Sequence, residues 1–296
     1  FSEVLEQIKH DKNCIKVAFL GVPCVLSGLK YLRAADHRID QKIKYTFALS
    51  CSHNTSAQFT DRLIDSFKPD RNKNYTFKHR DKIQIPNAAN FNNSIKSDDQ
   101  KEIRKPRNKT PFTLNWRTYA YSLNACSYCP DFWGVDADAG FKDAWGFDVD
   151  KKEGETVFFI NKPELTDIIR QMQEQGIVSI SEVTLDQLIK SQKDTVVHKT
   201  TYIEFKQRRH KALRKLTKGR SVKKFTFLET ILLYIDYQIK KRHIRRSKFL
   251  YRTFKLPIPN LLLKIPAFLL RKISVYLSIL SLIKEQEHPF EVLYTA

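Results

Sequence analysis

A chain of 296 residues with 42% hydrophobic content can bury a core in one large domain or two modest ones, and this is not the composition of a disordered polypeptide. Five cysteines are too few for a disulfide-built scaffold and odd in number, which fits reduced thiols in a cytoplasmic setting. The net charge of +20 is uneven, because residues 201–296 hold 22 Lys or Arg against 6 Asp or Glu while the first 200 are close to balanced. A boundary near residue 200 is expected, with a field beyond it that draws phospholipid, nucleic acid or an acidic protein.

The chain opens on Phe1, and its first residues lack signal-peptide character, so a fragment missing its N-terminal part is expected. Val4, Leu5 and Ile8 lie at helical spacing in Ser2 to His10. Cys14 has no assigned role. The apolar run Ile15 to Leu20 predicts a buried strand, ended by the turn Gly21-Val22-Pro23-Cys24, and Leu26, Leu29 and Leu32 then mark a helix. Such a strand–turn–helix unit opens an α/β layer, and the turn at its carboxyl end is a natural ligand position. Ile43 to Leu49 alternates as a second strand that delivers Ser50-Cys51-Ser52-His53-Asn54 at its tip, before a helix with Phe59, Leu63, Ile64 and Phe67 on one face. Cys24 and Cys51 therefore hold equivalent places, each just beyond a strand. If those strands are parallel neighbours, both thiols sit on one rim of a sheet, although free cysteines are commonly small buried hydrophobes.

Residues 68–110 are polar and basic and read as loop, with Phe77-Lys78-His79-Arg80-Asp81-Lys82 standing out as an anion contact or a solvated run. Thr113 to Leu123 alternates with aromatics and predicts a strand leading to Cys126. Cys126 and Cys129 form a Cys-x-x-Cys pair that can grip one soft metal centre, furnish half a zinc site, act as a redox dithiol or simply be buried. After the turn Asp143-Ala144-Trp145-Gly146, Val157 to Ile160 predicts a strand and Glu164 to Gln175 a helix stopped by Gly176. Ile177 to Ile180 predicts a further strand, and Thr184 starts a helix through Leu185, Leu188 and Ile189. No G-x-G-x-x-G, no G-x-x-x-x-G-K-S/T and no H-E-x-x-H occurs, so a dinucleotide fingerprint, a P-loop and a zincin are unsupported. The fold class expected is α/β, a mixed or mostly parallel sheet with flanking helices, with a basic helical extension behind it.

The run from Val17 through Gly21, Pro23 and Cys24 to Leu29 resembles the V-x-F-x-G-T-P-C-Q-x-x-G-L signature of the coenzyme F420 hydrogenase/dehydrogenase beta-subunit family. Cys51-Ser52-His53-Asn54 is similar to that family's Cys-His-Gly or Cys-x-x-Asn segment, and Phe77 to Lys82 to its F-R-D-K element. Cys126 and Cys129, followed by Ala137-Asp138 and by Asp143 to Gly146, look like its C-x-x-C…A-D-I-x-x-G-D-x-W-G block. Five elements in order over residues 1–195 make this a specific match, from which the chain departs at Val22, Val25 and Lys142.

The resemblance implies an iron–sulfur flavoprotein that passes electrons between a 4Fe–4S cluster, FAD and either coenzyme F420 or a ferredoxin-like partner protein. It implies Cys126 and Cys129 as cluster ligands, completed by Cys24 and Cys51. Gly21, Pro23, His53, Asn54, Arg80, Lys82, Asp143, Trp145 and Gly146 are implied on the cofactor side. It points to no side chain as a general acid or base, and bacterial relatives imply a role in surface-polysaccharide synthesis. Zinc is the rival at the four cysteines, but zinc knuckles pair two local Cys-x-x-Cys turns, whereas Cys24 and Cys51 lie far apart in sequence.

In the basic tail, Leu228, Leu232, Ile235 and Ile239 lie at helical spacing ahead of Lys240 to Arg246. From Ala267 to Ile283 the chain is mostly apolar, with Arg271, Ser274, Ser278 and Ser281 on one stripe, which predicts an amphipathic helix rather than a membrane span. Adsorption to the anionic inner face of the cytoplasmic membrane is the sharper reading, and packing on its own domain or on a second copy in a homo-oligomer the blander one. The non-enzymatic alternative is a zinc- or cysteine-stabilised binding module whose tail engages membrane or nucleic acid, and nucleic acid is the less expected partner.

Overall fold

The computed structural model describes residues 2–13, 16–70, 72–83, 90–99, 101–117, 119–147 and 154–199, together with Ile203, Thr230, Ile231 and Tyr234. Cys14 and, those four residues apart, the expected basic helical extension lie outside the described residues, its amphipathic segment included. Among those residues no helix is long and apolar enough to cross a membrane.

Helix α1 (Ser2–His10) leads to strand β1 (Val17–Gly21), and helix α2 (Pro23–Ala35) starts at once. Pro23 takes the first helical position, where its fixed φ suits the helix and its missing N–H costs nothing. Helix α3 (His37–Lys42), not foreseen from the sequence, is capped by the Asp36 carboxylate and returns the chain to strand β2 (Ile43–Leu49). Leu5, Leu26, Leu29, Ile39, Ile43 and Ala48 form the core beneath this unit, and each fully buried leucine contributes roughly 1.5–3 kcal/mol. Helix α4 (Ala57–Asp65) buries Phe59 and Leu63 as its sequence face predicts.

Strands β3 (Tyr75–Asp81), β4 (Asn92–Ser97) and β5 (Glu102–Pro106) then form an antiparallel sheet where the sequence predicts loop. The polar residues of β4 are the reason, since Asn92, Asn93 and Ser94 are buried and give no apolar alternation to read. The Asn93 amide donates to Thr110 Oγ1 at 3.0 Å.

The expected strand over Thr113–Leu123 is corrected to helix α5 (Phe112–Arg117) followed by turns. Phe112 and Trp116 stand one helical turn apart with parallel rings 5.9 Å from centroid to centroid, a helical spacing that period-two counting of aromatics obscures. Tyr119 and Tyr121 adopt φ of 57° and 61°, which breaks any continuation as helix or strand.

Strand β6 (Ala139–Asp143) docks beside β2, and β7 (Thr156–Ile160) closes the main sheet. Its order is β1-β2-β6-β7, with β1, β2 and β6 parallel and β7 antiparallel, so the sheet is mostly parallel as the sequence predicts. Asp138 sets the docking register, because its carboxylate accepts from the Thr46 amide at 2.7 Å and from the Thr46 hydroxyl at 3.0 Å.

Helix α6 (Pro163–Glu174) ends in a left-handed Gly176, whose N–H reaches the Gln173 carbonyl while Ile177 N–H reaches Met172. The strand predicted at Ile177 to Ile180 does not form; Ile177 is 62% exposed and no neighbouring strand pairs with this stretch among the described residues. Helix α7 (Leu185–Ser191) begins with a reciprocal Thr184–Gln187 capping box, and helix α8 (Lys193–Val197) follows.

Candidate functional site

The carboxyl ends of the parallel strands bring their following turns to one rim. Gly21 closes β1 opposite Ala48 of β2, so Cys24 and Cys51 leave the sheet on the same side. Cys24 lies in the first turn of α2, where its own amide and that of Val25 favour the thiolate. Cys51 is held from the other side by its N–H, which donates to the Phe132 carbonyl at 3.0 Å.

The segment after Cys51 is laced to the approach of the Cys-x-x-Cys knuckle. Thr55 bridges Ser122, Leu123 N–H donates to the Asn54 carbonyl at 3.0 Å, and Ser56 N–H donates to the Tyr121 carbonyl at 2.8 Å. Cys126 then sits in a single 3-10 turn, Ala125–Ser127, and its sulfur accepts from the Asn54 amide at 3.3 Å. The Cys129 thiol faces the Asp131 carbonyl at 3.4 Å. A backbone N–H aimed at a thiolate sulfur stabilises its negative charge.

The strand-tip thiols feel the charge of the other sulfurs. Burial raises the Cys24 pKa, and Cys129 and Cys126 raise it further against the amides of Cys24 and Val25. Burial also raises Cys51; the Lys199 ammonium opposes it, while Cys126, Cys24 and Cys129 add to it. Among the described residues, no three His, Cys, Asp or Glu side chains close in on a point as the ligands of a single metal ion would. The sulfurs around a tetrahedral zinc stand about 3.8 Å apart, as follows from zinc–sulfur bonds of about 2.3 Å. A four-iron cluster spreads its four thiolates wider, over the corners of the cluster.

His53 is 5% exposed and packs against Trp116 and Tyr119, with centroids 4.1 and 4.4 Å away and rings tilted by 38° and 46°. Burial, then the field of Lys199, lowers its pKa to about 3, so the ring is neutral near pH 7. Its Nδ1 meets the Ser52 hydroxyl at 3.2 Å, and its buried Nε2 has no partner among the described residues.

A second, cationic cluster lies at the end of β3. Arg80 and Arg107 both stand over the ring of buried Phe91, at 5.3 and 5.6 Å. Lys82 donates to the Asn90 carbonyl at 2.9 Å, and its pKa is lowered by burial and by Arg80 and Arg107 while Asp143 raises it. Burial, Arg117 and Arg80 likewise lower Arg107. Lys82 and Asp143, more than sixty residues apart in sequence, thus become electrostatic neighbours. Crowded guanidinium and ammonium groups that disfavour one another's charge are stabilised by an anion between them.

The Asp143 carbonyl accepts from the Gln192 side chain at 2.9 Å and from Trp145 N–H at 2.9 Å. Gly146 turns the chain at φ 80°, a conformation that disfavours side chains with a Cβ, and Trp145 is exposed. Gly21 and Pro23 border Cys24 on the rim, with Pro23 fully buried. The sequence-predicted residues therefore fall into two groups: the thiols with Gly21, Pro23, His53 and Asn54 at the rim, and Arg80, Lys82 and Asp143 at the end of β3.

Three residues beyond the sequence reading join them. Arg107 and Arg117 belong to the cationic cluster, and the only sequence signal was the basic run around Lys101 to Lys109. Lys199 is 2% exposed and donates to the Cys129 carbonyl at 3.0 Å; nothing in its local sequence marks it.

A search of curated proteins found no match. Among solved structures, the chain is similar to one from the xenon-derivatised F420-reducing [NiFe] hydrogenase complex of Methanosarcina barkeri. The likeness has 16% identity and a TM-score of 0.44, and covers 74% of this chain and 69% of that one. The family model for the C terminus of the coenzyme F420 hydrogenase/dehydrogenase beta subunit matches residues 14–186. That match takes in both strand-tip cysteines, the Cys-x-x-Cys knuckle and the Asp143–Gly146 turn, spans more than half of the chain, and makes this protein a member of that family of oxidoreductase subunits.

Proposed function

We propose that this chain is an iron–sulfur flavoprotein subunit. In this reading Cys24, Cys51, Cys126 and Cys129 hold a 4Fe–4S cluster, and FAD lies toward Arg80, Lys82, Asp143, Trp145 and Gly146. Electrons pass on to coenzyme F420 or a ferredoxin-like partner. The observation that carries the reading is that two neighbouring parallel strands end at Cys24 and Cys51 and that the Asn54 amide ties the second of these tips to the Cys126 sulfur of the knuckle. The donor set fits the cluster: four soft sulfurs, a backbone amide aimed at Cys126, and a buried ammonium beside the knuckle. The cationic group around Phe91 fits the pyrophosphate of a flavin dinucleotide.

When bound, such a pair couples the two-electron chemistry of a flavin to single-electron transfer through iron. The chain's own residues do the positioning. His53, neutral and packed between two tilted rings, is a buried neighbour of Cys51 whose Nε2 has no partner among the described residues. Gly21 and Pro23 bring the α2 amides to the rim, and Asn54 fixes the Cys126 sulfur through its main chain.

A cytoplasmic setting, a domain limit near residue 200, a peripheral contact of residues 201–296 with an anionic membrane face and a place in surface-polysaccharide synthesis complete the proposal. The first of these is supported by the reduced-thiol composition and the next two by the charge distribution alone. The last is supported by the family likeness alone.

The test is oxygen-free purification, a visible spectrum, and assay of iron, acid-labile sulfide, zinc and flavin. Iron and sulfide in equal amounts with bound FAD are expected. A colourless protein holding zinc overturns the proposal, and iron with sulfide but no flavin overturns its flavin half.

A further inference from the structure

We propose that Lys199 is a positioning residue of the thiol centre, pinning the Cys126–Cys129 knuckle through the Cys129 carbonyl and setting a positive charge against the anionic group the sulfurs hold. The inference rests on the cluster reading above, and concerns a residue beyond the segment that the family model matches.

Lysine is among the residues least often found fully buried unless paired, yet Lys199 is 2% exposed. Its one hydrogen bond among the described residues goes to a neutral acceptor, the Cys129 carbonyl at 3.0 Å, which leaves two ammonium protons and a full charge to be compensated. No carboxylate among the described residues forms an ion pair with it, so the compensating anion has to come from elsewhere. The knuckle it holds carries two of the sulfurs, and sulfurs bind metal as thiolates. The field of Lys199 reaches Cys51 and His53 of the strand tip, and its hydrogen bond to the Cys129 carbonyl sets it against the knuckle as well. Iron bound by four thiolates carries net negative charge, the complement this ammonium lacks.

Its placement is built into the fold. His198 lies flat on Tyr119, with centroids 4.0 Å apart and rings 16° from parallel, and Tyr119 in turn packs on His53. Gln192, just before α8, donates to the Asp143 carbonyl and ties the start of this segment to the main sheet. The chain is therefore anchored shortly before Lys199 and at His198 beside it, and Lys199 enters the site from a part of the chain that supplies no cysteine.

The chemical consequence is a bias on the reduction equilibrium. One electron delivered by dithionite makes the centre more negative while no bond forms or breaks, and a cation held nearby favours the more negative state. Lys199→Gln keeps an N–H donor for the Cys129 carbonyl and removes the charge; Lys199→Arg keeps both.

Wild type and both variants are loaded with iron and sulfide without oxygen and titrated with dithionite. The reduction equilibrium of K199Q is expected to fall about tenfold, which for one electron is about 59 mV, with K199R close to wild type. A K199Q protein with full iron content and an unshifted equilibrium overturns the inference while leaving the cluster reading intact. A wild-type chain that takes up no iron and sulfide overturns both. Should K199Q fail to fold, His198→Ala supplies the second test, since it removes the ring that anchors the neighbouring residue. A smaller shift in the same direction then supports the role of Lys199, and no shift overturns it.

Discussion

Replacing Gly134 by alanine tests how rigidly the sheet presents Cys51. Gly134 adopts φ 83°, and a Cβ built there lies 2.3 Å from the Cβ of Ala48, far inside van der Waals contact. Ala48 cannot retreat, because it is buried in the central strand and paired with Gly21 on one side and Gly140 on the other. The left-handed backbone costs a residue with a Cβ about 1–2 kcal/mol, and forced overpacking adds about 1–3 kcal/mol. Gly134→Ala is therefore expected to lose about 2–5 kcal/mol in urea unfolding of the metal-free protein. The Phe132 carbonyl that holds the Cys51 amide lies in the same turn, so iron uptake should fall with stability. The double variant Gly134→Ala with Ala48→Gly removes the collision but keeps the backbone term, and should regain part of the loss. A single variant within about 0.5 kcal/mol of wild type, the ordinary range of a harmless surface change, would refute the reasoning.

Three further outcomes follow from other contacts. Arg104→Leu removes the 2.9 Å ion pair from buried Asp81 and leaves that carboxylate only the Ile83 amide and the Ser94 side chain; the loss should be about 1–3 kcal/mol at neutral pH. Burial pushes the Asp81 pKa up, but those two groups and Arg104 together hold it below the usual value, so folding stabilises the ionised form. The stability difference between wild type and variant should persist above about pH 4, the ordinary aspartate value, and fade as pH falls through the lower folded value, as urea midpoints across pH will report. Thr184→Ala breaks the reciprocal cap of α7 and should cost about 1 kcal/mol by the same measurement, with no change in iron content. Arg107→Gln should weaken FAD binding about tenfold or more in equilibrium titration while leaving the iron-to-sulfide ratio unchanged; equal affinity would remove the cationic cluster from the flavin site.

The main sheet was legible because its strands carry apolar runs bounded by turn residues. Ile43 to Leu49 and Val157 to Ile160 were read almost to the residue, and the Cys24 and Cys51 turns follow from the strands that end before them. The second sheet was not legible. Its central strand buries Asn92, Asn93 and Ser94, and a strand whose inward face is polar has the composition of a loop. Aromatic alternation misled over Thr113 to Leu123, since Phe112 and Trp116 also satisfy helical spacing and the two left-handed tyrosines leave no trace in the sequence pattern. Among site residues, cysteine spacing and turn glycines announce themselves, whereas Arg107, Arg117 and Lys199 become visible only through the fold that gathers them.

The division of labour between the two sheets explains why the cationic cluster escaped the sequence. The parallel sheet supplies Cys24 and Cys51, because β1 and β2 end in turns at the same rim and each turn delivers one thiol there, while the knuckle comes from the turn ahead of β6. An antiparallel sheet has no such common rim, and its neighbouring strands run past each other. It offers instead facing residues on adjacent strands and the turns beside them, which is how Arg80 at the end of β3 and Arg107 just past β5 come to flank the single ring of Phe91. In the proposed flavin site, an anion between those guanidiniums would be positioned by β3 and β5 through β4, the strand between them, with Asp81 paired to Arg104 linking the two outer strands. Disturbing that ion pair should for this reason move flavin affinity as well as stability, while the thiol centre, built on the other sheet, keeps its iron.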